Sequence, residues 1–60
     1  MTDYRVYFLD RNGAIMTADW IVADNDDEAA NLAKNDPRYI RCELWEKKLF
    51  VKSLSITEVP

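Results

Sequence analysis

Apolar residues dominate Tyr4–Leu9 and again Ile15–Val22, with polar residues interspersed at Arg5, Thr17 and Asp19, and a turn signal, Asp10-Arg11-Asn12-Gly13, separates the two runs. Runs rich in aromatic and β-branched side chains predict strands. The pair therefore reads as a hairpin spanning 4–22, around which the rest of the chain is organised. Asn12-Gly13 suits a two-residue type I′ loop, whereas Asp10–Gly13 suits a type I turn with Gly13 left-handed in a bulge. The bulge register places Arg5 opposite Asp19, Tyr7 opposite Thr17, Leu9 opposite Ile15, Phe8 opposite Met16 and Tyr4 opposite Trp20, whereas the type I′ register places Arg5 opposite Trp20 and Val6 opposite Asp19. Such cross-strand pairs each contribute roughly 0.2–1 kcal/mol, and the bulge register is the expectation.

The pattern then changes. Asp24–Glu28 is acidic, and Asn25 with Glu28 three residues later fits a capping box at the start of a helix. The helix is expected to run to about Asn35 and to stop before Pro37, with Ala29, Leu32 and Ala33 as its buried stripe. The acidic cluster lacks the glycine and the alternating ligands of a calcium loop, so no metal site is expected there. Two further strands, Tyr39–Trp45 and Phe50–Ile56, flank Glu46–Leu49. A four-residue loop is expected, because lysines at 47 and 48 sit poorly at the positive φ of a type I′ turn. That loop pairs Trp45 with Phe50, Leu44 with Val51, Glu43 with Lys52 and Tyr39 with Ile56. Thr57–Pro60 reads as a tail or strand extension.

The predicted fold is thus α+β, in the order ββαββ: a single small domain over 1–60, with a four-stranded antiparallel sheet and one helix on one face. A helix of ten residues is about 15 Å long and shields only one face. The covered face is assigned Val6, Phe8, Met16, Trp20, Cys42, Leu44 and Val51. The other face then exposes Tyr7, Leu9, Ile15, Ile21, Tyr39, Trp45, Phe50 and Ile56. A contiguous apolar patch of that kind marks an interaction surface, and a homodimer through that face or through an edge strand is the expected solution.

Composition sharpens this picture. Sixty residues bury a modest core, so a small domain leans on disulfides, metals or a partner chain. Cys42 is the only cysteine and there is no histidine, which excludes an internal disulfide and disfavours a zinc site. Without histidine, and with Cys42 on the expected core side, no catalytic constellation forms, and no cofactor is expected. The longest apolar run, Val6–Leu9, is too short to span a bilayer, and the N-terminus does not read as a secretory signal, so a cytoplasmic setting is expected. Net charge is −3, yet 38–52 holds five cations against two carboxylates. Tyr39, Arg41, Trp45, Lys47, Lys48, Phe50 and Lys52 therefore form an alternative candidate surface for single-stranded nucleic acid. The overall negative charge weighs against it.

The segments YRVYFLDRNGAI, DDEAANLA and CELWEKKLFV together resemble a group of small uncharacterised bacterial proteins with a YRxYFLDxxGxI opening, an acid-led helix and an ELW strand. The resemblance covers about Tyr4–Leu54 and implies a compact bacterial α+β domain, with no activity attached. A looser similarity, to the antitoxin halves of toxin–antitoxin pairs, rests on a hairpin preceding an EA-rich helix.

Overall fold

A computed structural model describes residues 1–56; the tail expected at 57–60 lies outside the described residues. The elements are β1 (Thr2–Leu9), β2 (Ile15–Ala23), α1 (Asp26–Lys34), β3 (Arg41–Glu46) and β4 (Leu49–Ser55). All four strands pair antiparallel in one sheet, in the order β2-β1-β3-β4. The ββαββ order and the single four-stranded sheet are as expected.

The first turn forms as the glycine requires. Gly13 N–H donates to the Asp10 carbonyl at 3.0 Å, Asp10 N–H donates to Ala14 at 2.9 Å, and Gly13 sits at φ +86°. The Asp10 carboxylate accepts from the N–H groups of Asn12 and Ala14, holding the loop from inside. The expected register, however, holds only at Leu9 opposite Ile15. An irregularity between Phe8 and Leu9 leaves Met16 as an extra residue on β2, and from there outward Phe8 faces Thr17, Val6 faces Asp19, Arg5 faces Trp20 and Tyr4 faces Ile21. A one-residue shift exchanges the two faces of a strand. Trp20 and Met16 consequently leave the covered face and are exposed, while Ile21 moves in and packs against the core.

The second hairpin repeats the device. Its turn is tighter than expected: Glu46 pairs with Leu49 around Lys47-Lys48, and Lys47 takes φ +56°. Trp45 faces Phe50 as expected, but an irregularity between Leu44 and Trp45 then makes Val51 the extra residue. Leu44 faces Lys52, and Glu43 faces Ser53 rather than Lys52.

The helix begins at Asn25, whose Oδ1 accepts from Glu28 N–H at 2.8 Å. Glu28 reaches back to accept from the amide of Asp24 at 3.1 Å, one residue beyond the expected reciprocal partner, Asn25. Tyr4 on β1 donates to Asp26 Oδ1 at 2.7 Å and ties the first helical turn to the sheet. Asn35 caps the other end, and Pro37 lies in a turn closed by Tyr39 N–H to the Asp36 carbonyl. The buried stripe is Ala29, Ala30 and Ala33; Leu32 is 45% exposed and lies to the side, contrary to expectation. These alanines meet Tyr4, Val6, Phe8, Ala23, Cys42 and Leu44 in one core, with Ile21, Tyr39, Val51 and Leu54 packed around it.

Candidate interaction surface

The face away from the helix is built by the alternation of β1 and β3. Cross-strand partners share a face, so Arg5, Trp20 and Trp45 stand in one row, Tyr7, Ala18, Glu43 and Ser53 in the next, and Leu9, Ile15, Arg41 and Ser55 in a third. Trp45 and Phe50 meet edge to face, with ring centroids 5.4 Å apart. The Arg5 guanidinium lies 4.8 Å from the Trp20 ring centre and 5.7 Å from that of Tyr7, a cation–π arrangement. Trp20 is 61% exposed, Ile15 62% and Phe50 53%. A shallow groove of about 480 Å³ runs between Tyr7, Ile15, Glu43, Trp45, Lys47 and Lys48. Glu43 Oε1 accepts from Trp45 Nε1 at 3.3 Å inside it.

Of the residues expected on this surface, Tyr7, Ile15, Trp45 and Phe50 are brought together. Leu9 belongs to the same side of β1 but is already buried. Ile56 is exposed and follows β4, its N–H donating to the Ile40 carbonyl. Ile21 and Tyr39 do not join the surface: both pack against the core on the helix side. Lys52, opposite buried Leu44, also faces that side, so the seven-residue cationic and aromatic set divides between the two faces. The Trp20–Arg5–Tyr7 stack is absent from the expected surface because the extra residue at Met16 alone brings Trp20 there.

A second cluster lies on the helix side at the β2 edge. The Arg38 guanidinium donates to Asp36 Oδ2 at 2.7 Å, to Asp36 Oδ1 through Nε at 2.9 Å and to Asp19 Oδ2 at 3.1 Å, and it covers the Phe8 ring at 4.6 Å. These bonds hold the Asp36 carboxyl down at about 2, and they push the already basic Arg38 further up. Asp19 is lowered first by the backbone N–H of Trp20 and then by Arg38. Cys42 is wholly buried, and burial pushes its thiol up to about 11, away from the thiolate that nucleophilic chemistry needs.

Among the described residues no group of three or more histidine, cysteine or carboxylate side chains is arranged to hold a metal ion, and no helix is long and apolar enough to cross a membrane. Comparison of the chain with family models, with curated proteins and with solved structures finds no match in any of the three.

Proposed function

We propose that this protein is a small non-enzymatic interaction module, acting in the reducing cytoplasm, that self-associates as a homodimer through the uncovered sheet face. The observation that carries the reading is the cluster of Tyr7, Trp20, Trp45, Phe50 and Ile15 on the face opposite the helix. On this face Trp20, Phe50 and Ile15 are exposed beside half-buried Tyr7 and Trp45, and such aromatic residues dominate interface energetics. A homodimer uses one such patch twice.

The test is the mass in solution of the natural chain and of Trp45→Glu. The natural chain is expected to sediment as a dimer and the variant as a folded monomer. A natural chain that stays monomeric at high micromolar concentration refutes the proposal.

A second reading, binding of single-stranded nucleic acid, is favoured by the Arg5 stack on Trp20 and Tyr7 and by Lys47 and Lys48 beside Trp45, with Arg41 farther along the same face. Salt-dependent retention of the natural chain on single-stranded oligonucleotides, lost in Arg5→Ala, would establish it in place of the dimer.

A further inference from the structure

The sheet has two edges, β2 and β4. An edge strand turns a row of backbone N–H and C=O groups outward, ready to pair with another strand unless something blocks them. On β2 that block has a specific form. Trp20 stands opposite Arg5, and its N–H donates to the Asp19 carboxylate at 2.9 Å. Asp19 is in turn held by Arg38 at 3.1 Å, and Arg38 is fixed by Asp36 and by the Phe8 ring beneath it.

We infer that Asp19 guards the β2 edge, its carboxylate closing that edge to strand addition, and that a second copy of this chain therefore docks on the open sheet face and not on the edge. An incoming strand would bring a carbonyl oxygen to the amide that the carboxylate already occupies, setting two acceptors against one donor. It would also have to displace the Asp19–Arg38 ion pair. Asp19 lies in the same row as Val6, on the helix side of the sheet but at its solvent-exposed rim, where Arg38 meets it. The β4 edge is broken at Val51 and carries Lys52; a bulge and an edge lysine are both known ways of discouraging strand pairing.

The choice of face over edge rests on the homodimer reading; the guarding role of Asp19 does not.

The experiment follows the sedimentation of the natural chain, Asp19→Ala, Asp19→Asn and the double variant Asp19→Ala/Trp45→Glu over a wide concentration range. The natural chain should form no species larger than a dimer. Asp19→Ala should form larger, concentration-dependent species, and the double variant should still associate, now through the opened edge. Asp19→Asn keeps an oxygen acceptor for the Trp20 amide and should behave much more like the natural chain. A folded Asp19→Ala with masses indistinguishable from the natural chain overturns the guarding role. A monomeric natural chain whose Asp19→Ala variant associates refutes the dimer and leaves the guard standing. Amide exchange of the natural chain provides a check that needs no variant. Protection of the Trp20 N–H should be independent of dilution, and protection that disappears as the dimer dissociates would place the second copy on the edge and overturn the inference.

Discussion

Replacing Gly13 with alanine separates two ways in which a turn can reject a side chain. A Cβ built on Gly13 meets only the Arg41 guanidinium, at 3.8 Å, an ordinary contact. Sterics within the fold therefore contribute almost nothing, and the whole penalty is conformational, since the residue sits at φ +86°. Holding an L-residue in the left-handed region costs roughly 1–2 kcal/mol. Alanine also restricts the unfolded chain, which offsets about 0.4–1 kcal/mol of that cost. The net expectation is a destabilisation of up to about 1.6 kcal/mol, about 0.8 kcal/mol at the middle of both ranges, which lowers the melting temperature of a domain this size by about 3–6 °C. Gly13→Asn should lose less, because asparagine tolerates this region best among the larger residues. A synthetic chain with D-alanine at position 13 should be no less stable than the natural one. The assay is thermal and urea unfolding followed by circular dichroism, at one fixed protein concentration because association adds to apparent stability. If Gly13→Ala is as stable as the natural chain, or if asparagine is worse than alanine, the left-handed turn is not what Gly13 supplies.

Leu44→Ala empties a fully buried position between β1 and the helix and should cost roughly 2–5 kcal/mol; urea unfolding should find much of the variant unfolded at room temperature. The Tyr4 hydroxyl is pushed up to about 12, chiefly by its hydrogen bond to Asp26. A raised acid stabilises the fold fully below its ordinary value near 10 and loses that contribution as pH rises through about 12, so stability should fall over that window and fall less in Tyr4→Phe. Buried Cys42 should react with a thiol reagent only as fast as the fold opens; labelling at the rate of a free thiol under native conditions would contradict its placement.

Much of this architecture was legible because local chemistry and fold agree. Asp10 and Gly13 specify their turn, Asn25 specifies the helix start, and aromatic and β-branched runs bounded by turn signals mark the strands. Register was not legible, and the same event defeats it twice. A single extra residue interrupts each hairpin, Met16 just beyond the turn-proximal pair of the first and Val51 beyond the second pair of the other. Pairing rules reward Arg5 opposite Asp19 and Glu43 opposite Lys52, yet each such pair is worth less than about 1 kcal/mol. Core packing involves larger energies and overrides them.

The helix explains why the bulge on β2 wins. Its buried stripe is three alanines, so it sits close to the sheet. An indole beneath it would have to occupy space that the close approach removes, and overpacking of a small core costs typically 1–3 kcal/mol. With Met16 looped out, the residues from β2 that meet the core are Ile21 and Ala23, and Trp20 is sent to the opposite face. The same shift carries Asp19 to the helix side, where Arg38 receives it, and places Arg5 against Trp20. Both clusters that sequence pairing missed, the aromatic stack on the open face and the guarded edge, thus follow from one inserted residue. That insertion is favoured because a helix faced with alanine leaves room for isoleucine and alanine beneath it, and none for tryptophan.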